Sequence, residues 1–104
     1  MKTLAASITL ALMALAAQAK EVIIDVRTPQ EFAADRISGA LNIEYNNIAR
    51  DISKAGVSKD DRVILYCRSG RRSGIAMNTL KSMGYSKAEN VGGIEQARKT
   101  LGKK

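Results

Sequence analysis

The residues best suited to chemistry lie in one run: Val63-Ile64-Leu65-Tyr66-Cys67-Arg68-Ser69-Gly70-Arg71-Arg72-Ser73-Gly74. Four apolar residues lead into Cys67, the only cysteine of the 104-residue chain, and a loop with three arginines follows before a helical pattern begins. Gly70 is the residue there that can take a positive φ, so the backbone can turn sharply. A tight turn entering a helix points successive N–H groups inward, and the helix N-terminus adds partial positive charge. A free thiol has a pKa of about 8.5, and such surroundings lower it. Arg68, Arg71 and Arg72 reinforce that shift. The expected product is a thiolate at neutral pH, facing a pocket that welcomes a small oxyanion.

Free cysteine is among the most buried residue types, so the rival reading of Cys67 is inert core filler; the cationic loop argues against it. The chain has no histidine. That excludes a Cys-His nucleophile pair and any His-dependent metal site, and one cysteine excludes the multi-cysteine zinc patterns. No metal or cofactor is expected. Activation must come from dipoles and arginines, which suits reactions of an anionic substrate with a bare thiolate. Two such classes are phosphoryl transfer and sulfur transfer. A cysteine phosphatase loop places an arginine after five intervening residues. Here that position is Ser73, and Arg72 follows with four between. A six-residue loop, Cys67 to Arg72, is the smaller bowl that suits a sulfur atom.

The elements that must position this loop read as an alternating α/β chain. Glu21 to Val26 is a β-branched run suited to a strand buried on both faces, interrupted by Asp25, which needs a partner such as Arg27 or a loop arginine. Thr28-Pro29-Gln30-Glu31 has a cap, a proline at the first helical position and the glutamate of a capping box, with Phe32, Ala33 and Ile37 as the apolar side. A turn and short strand follow over Gly39 to Ile43. A helix is expected over Asn46 to Ala55, with Ile48, Ala49 and Ile52 on one face and Gly56 at its end. After the strand Arg62 to Tyr66 comes a helix from about Ser73 to Met83, with Ile75, Ala76, Leu80 and Met83 inward and Gly84 as its exit. Ala88 to Val91 forms a last strand. Gly92-Gly93 turns into a closing helix with Ile94, Ala97 and Leu101 inward. Strands alternating with helices imply right-handed crossovers and a mainly parallel sheet of about four to five short strands with helices on both faces. Ligands of such sheets sit beyond the carboxyl ends of the strands, where Asp25, Cys67 and Gly92-Gly93 converge.

The chain opens on Met1-Lys2, runs uncharged from Thr3 to Ala19 and closes that stretch on Ala17-Gln18-Ala19. These are the three parts of a secretory signal peptide, and the apolar part is shorter than the roughly 20 residues that span a bilayer. Residues 1–19 are therefore expected to be cleaved. The single domain would be residues 20–104, exported to the periplasm, with no membrane insertion after cleavage. A lone cysteine in an oxidising compartment makes no internal disulfide. The whole chain carries +7; without Lys2, sixteen basic side chains face ten acidic ones, a net +6. Basic residues occur in pairs at most and aromatics amount to 4%, so nucleic acid is not the expected partner. A small anion is.

Taken together, Asp25-Val26-Arg27 with Glu31-Phe32, Ile37 with Gly39-Ala40 and Asn42-Ile43, Cys67 to Ser73 with the following helix, Gly84-Tyr85, and Val91-Gly92-Gly93-Ile94 occur in an order and spacing that resembles the single-domain rhodaneses (thiosulfate sulfurtransferases). The resemblance spans essentially all of residues 20–104 and is strongest to the small exported type. It implies a rhodanese-like fold and movement of sulfane sulfur from thiosulfate to cyanide or a thiol acceptor. By it, Cys67 is the nucleophile that forms the persulfide. The backbone amides of Arg68, Ser69, Gly70, Arg71, Arg72 and Ser73 form the cradle that binds the substrate. The family fixes no role for the loop arginines; their charge assigns Arg71 and Arg72, and after them Arg68, to attracting the substrate, while Asp25 and Arg27 are read as structural support. Asp35-Arg36 stands where the family often has Gly-His, Glu44 where it often has proline, and the usual tryptophan after the double glycine is missing. Two other readings of the same loop are a persulfide carrier loaded by a partner protein and, more remotely, a cysteine phosphatase or arsenate reductase.

Overall fold

The computed structural model describes residues 19–104, so the expected leader lies, apart from Ala19, outside the described residues. The apolar runs form four strands: β1 (Glu21–Asp25), β2 (Leu41–Asn42), β3 (Arg62–Cys67) and β4 (Ala88–Gly93). They make one parallel sheet in the order β2-β1-β3-β4. Among the described residues no helix is long and apolar enough to cross a membrane.

Period-two alternation splits the side chains of the central strands between two cores. Ile24, Val26, Val63, Leu65 and Cys67 enter one core, with Ile48, Ile52, Ala76 and Leu80. Ile23, Ile64 and Tyr66 enter the other, with Ile37, Ile94 and Ala97. Helices therefore cover both faces: α2 (Ile48–Asp51) and α3 (Arg71–Ser82) lie on the first, and α4 (Ile94–Leu101) on the second. Val63 through Cys67 are five consecutive buried residues. At roughly 1.5–3 kcal/mol per buried large aliphatic side chain, that run pins the position and direction of the cysteine.

Three helices depart from the pattern in the sequence. α1 (Pro29–Ala34) has its capping box, with Thr28 and Glu31 bonded reciprocally, but buries no residue. Ala33 is exposed, Ile37 lies beyond the helix, and Phe32 is half-buried beneath Arg36, whose guanidinium sits 4.8 Å from the ring centroid. Polar ties hold α1 instead. Arg27 donates to the Asp35 carbonyl at 2.6 Å, and Arg98 of α4 pairs with the Asp35 carboxylate at 2.6 Å. Where one helix was expected over 46–55, a 3-10 turn (Tyr45–Asn47) precedes the single α turn of α2, and 52–55 continue as turns. Ile48 and Ile52 are buried as expected, but Ala49 is exposed. Asn46 and Asn47 are weak helix formers, which suits the tighter start. On α3, Ile75 is 42% exposed rather than inward. The inner face is Ser73, Ala76, Met77 and Leu80, at helical spacing, and its first member is polar.

Asp25 ends β1 with no exposed surface. Arg27 grips it with Nε at 3.0 and 3.1 Å and Nη2 at 2.6 Å, and the Arg27 backbone N–H donates at 2.9 Å. The same guanidinium lies over Tyr66, whose hydroxyl accepts the Ile37 N–H at 3.1 Å. Burial pushes the Tyr66 phenol up to about 12. Asn42 of β2 donates to the carbonyls of Asp25 and Arg27, both at 3.0 Å, and closes this corner. Removing one partner from a buried ion pair costs about 3–5 kcal/mol. Asp25→Ala is expected to lose that much in urea unfolding; a loss under about 1 kcal/mol would show that the pair does not hold the strand ends.

Candidate active site

Cys67 is the last residue of β3, and α3 begins four residues later, at Arg71. The helix thus starts two residues before the expected Ser73, and the intervening loop is only Arg68 to Gly70. Gly70 takes φ +99° as the residue before the helix, the left-handed conformation that the short turn requires. Its N–H donates to Cys67 Sγ at 2.9 Å. The sulfur therefore occupies the place of a capping acceptor at the N-terminus of a 12-residue helix, where the backbone dipoles favour negative charge.

Ser73 lies one turn into α3 with no exposed surface. Its Oγ is 3.3 Å from Cys67 Sγ, 3.2 Å from the Gly70 carbonyl and 2.7 Å from Asn90 Oδ1. One hydroxyl proton can serve one of these acceptors at a time. Burial pushes the Cys67 thiol up. The Ser73 hydroxyl and the backbone N–H groups of Ser73, Ser69 and Gly70 more than offset this, leaving the thiol below its ordinary value. Inert filler would show burial without those donors.

Asn90 of β4 is a member of the site that local sequence reasoning missed. Its Nδ2 donates to the Gly70 carbonyl at 2.9 Å, and its Oδ1 accepts the Gly92 N–H at 2.9 Å besides facing Ser73. The register between β3 and β4 shifts here: Leu65 faces Asn90 and Cys67 faces Gly93, so β4 carries one extra residue as a bulge. The bulged end of β4 presses on the cysteine loop. A Cβ on Gly93 would collide with the Arg68 carbonyl oxygen, and one on Gly70 would meet Gly92 Cα at 3.3 Å. Asn90 precedes the Val91-Gly92-Gly93 segment, the one signal that could have pointed to it.

The three arginines do not share one environment. Arg68 and Arg71 are exposed. Arg72 is bound bidentately by Glu31 of α1, at 2.7 and 3.1 Å. Of the three, only Arg72 forms an ion pair among the described residues. The Arg72 guanidinium holds the Glu31 carboxyl down at about 2, against the effect of burial and with help from Thr28. Arg71 and Arg72 are the first two residues of α3, where positive charge opposes the helix dipole. Glu31 relieves that conflict for Arg72 and leaves it standing at Arg71. The arrangement offers a thiol whose pKa lies below its ordinary value, backbone N–H donors at the sulfur, and Arg68 and Arg71 exposed in the adjoining segment. Asp25 and Arg27 stay within their own pair at the neighbouring strand end.

A family model for the rhodanese-like domain matches residues 10–99. The chain is similar to the thiosulfate sulfurtransferase PspE of Escherichia coli (strain K12), at 40% identity over 77 residues that cover 74% of each protein. It is 39% identical over 74 residues to a sulfurtransferase of Allochromatium vinosum, covering 70% of this chain and 67% of that one. Among solved structures, a rhodanese with anions from E. coli superposes with a TM-score of 0.70 at 39% identity, covering 73% of this chain and 89% of that one.

Ser73→Ala removes the one side-chain donor to the sulfur and leaves Asn90 Oδ1 satisfied by Gly92. A hydrogen bond to a charged group contributes about 1.5 kcal/mol or more. The rate of Cys67 alkylation at pH 7 is therefore expected to fall about tenfold, recovering at high pH where the thiol ionises unaided. An unchanged rate would mean that the hydroxyl spends its proton on Asn90 alone.

Proposed function

The chain belongs to the rhodanese-like domain family, and from that premise we propose that it is a thiosulfate sulfurtransferase working through a persulfide on Cys67. The observation that carries the reading is the Cys67 sulfur itself. It is held at a helix N-terminus by the Gly70 N–H and the Ser73 hydroxyl, beside two exposed arginines, in a chain without histidine. The thiolate attacks the outer sulfur of thiosulfate. A bond forms between Cys67 Sγ and that sulfur, the S–S bond of thiosulfate breaks, and its electron pair leaves with sulfite. The loop N–H groups from Arg68 to Ser73 face the negative charge of donor and persulfide, a preorganised electrostatic environment. Cyanide or a thiolate then attacks the outer sulfur of the persulfide, giving thiocyanate or a new persulfide and returning the Cys67 thiolate. No step needs a proton from a side chain.

In this reading Arg68 and Arg71 draw the anionic donor in, while Arg72 is spent on positioning the loop against Glu31. Export through residues 1–19 to the periplasm belongs to the same proposal. The complete burial of Cys67 in the resting loop favours one second reading, a sulfur carrier loaded through docking by a partner protein rather than by free thiosulfate.

Intact-mass measurement of residues 20–104 after brief exposure to thiosulfate should show a gain of one sulfur, absent in Cys67→Ser. A persulfide that appears only with a donor protein present would favour the carrier. Turnover of thiosulfate and cyanide to thiocyanate should drop to background in Cys67→Ser; retained turnover would overturn the mechanism. Arg71→Ala should raise KM for thiosulfate roughly two- to five-fold at low salt with kcat little changed, as expected for an exposed charge. That effect should fade near about 0.5 M salt, where screening removes it.

A further inference from the structure

At the opposite pole of the sheet, Lys20 is tied to the turn before β3. Its N–H donates to Asp61 Oδ1 at 3.1 Å, and its Nζ donates to Asp61 Oδ2 at 3.0 Å and to the Gly56 carbonyl at 2.9 Å. Its carbonyl accepts the Arg62 N–H at 2.9 Å. The Asp61 side chain is only 2% exposed and also accepts the Ser58 N–H at 2.9 Å, while its own N–H returns to the Ser58 carbonyl at 3.1 Å. The donors from Lys20 and Ser58 hold this carboxyl well below the usual carboxylate range. One residue earlier, Ala19 is exposed and makes no hydrogen bond among the described residues. Strand pairing starts one residue later, at Glu21 against Arg62. Among the described residues the first one gripped is thus Lys20, which follows Ala17-Gln18-Ala19 in the sequence.

We propose that the α-ammonium created when the leader expected over residues 1–19 is cut from Lys20 docks on buried Asp61. Hydrolysis consumes one water and leaves a carboxylate on Ala19 and an ammonium on Lys20. The Lys20 nitrogen already sits at hydrogen-bond distance from Oδ1, so cleavage converts a neutral amide donor into a charged one without moving it. Lys20 then holds Asp61 with both its ammonium groups, one on each carboxylate oxygen. A carboxylate with 2% exposure depends on its partners, and charge-assisted bonds are about twice as strong as neutral ones. The processed end becomes a fastener between β1 and the turn before β3.

The sign of the pH dependence follows. An α-amine has an ordinary pKa of about 7.7–8.0, and a carboxylate partner raises it in the folded state. The added stability is fully present below about pH 7.7 and is lost as pH rises through the folded-state value. Other charges around this pole are Glu21, Asp60, Arg62, Lys81, Lys87 and Glu89 on one side and Lys103 on the other. Glu21 and Glu89 are both committed to Arg62, and of Asp60 and Asp61 it is Asp61 that has an oxygen at hydrogen-bond distance from the Lys20 nitrogen.

The test compares two chains of native sequence, one beginning at Lys20 and one at Ala19. They carry the same number of charges, but the second displaces the ammonium by one residue. The Lys20 chain should melt roughly 4–8 °C higher at pH 6–7, the order of change that one added interaction gives in a domain of this size. The gap should close by about pH 11, with Lys20 Nζ common to both chains. Equal melting at pH 6–7 overturns the docking, and a gap that persists undiminished to pH 11 overturns its electrostatic cause. N-terminal sequencing of the exported protein should begin at Lys20; any other first residue overturns the cleavage site. None of these outcomes depends on the sulfurtransferase reading.

Discussion

The structure depends on one bond of 2.9 Å, from the Gly70 N–H to the Cys67 sulfur. For that bond to exist, a strand must end at the sulfur and a helix must begin almost at once, with a left-handed residue between them. Burial alone would push the thiol pKa up, and the Ser73 hydroxyl with the N–H groups of Ser73, Ser69 and Gly70 brings it below its ordinary value. The remaining features supply rigidity to this junction. The buried run of β3 fixes the cysteine from below, and Asn90 ties the Gly70 carbonyl to the next strand. Gly93, lacking a side chain, lets the end of β4 lie against the loop.

The polar staples form a second layer around the first. α1 has no buried residue, so the hydrophobic effect does little to place it. Its position comes from Glu31 on Arg72, Arg27 on the Asp35 carbonyl and Arg98 on the Asp35 carboxylate. The departure from the family pattern at Asp35 thereby gains a physical account: the aspartate links α1 to the closing helix. Two neighbouring arginines at the positive end of a helix break a local electrostatic rule. Departures of that kind are expected where a site needs charge more than the helix needs stability.

What could be read from the chain alone was local. The strand into Cys67, the need for Gly70, the capping box at Thr28 and the βα alternation each depend on residues within a few positions of one another, and each is present. What escaped was set by distant partners. Nothing near Glu31 in sequence says that its carboxylate meets Arg72, 41 residues on. Nothing in the Asn90 segment says that a β4 bulge delivers its side chain to Gly70 and Ser73. The reading of α3 went astray at Ile75 for a related reason. The inner face begins with Ser73, which serves the sulfur, so a search for apolar periodicity took the isoleucine in its place. The helix also begins earlier than expected, because the loop needs only three residues once Gly70 turns left-handed.

The donors that act on the sulfur are backbone N–H groups and a buried hydroxyl, none of which titrates near neutrality. They are also inside the protein, where dissolved ions screen little. Arg68 and Arg71 stand in solvent, and their pull on an anion weakens as salt rises. The site therefore divides its work between two dielectric regimes. Capture of the anion answers to the ionic surroundings of the compartment, and the readiness of the thiol does not. Under the proposed function, a rise in salt would alter how often this sulfur meets an anionic donor, while leaving unaltered what the sulfur can do once they meet.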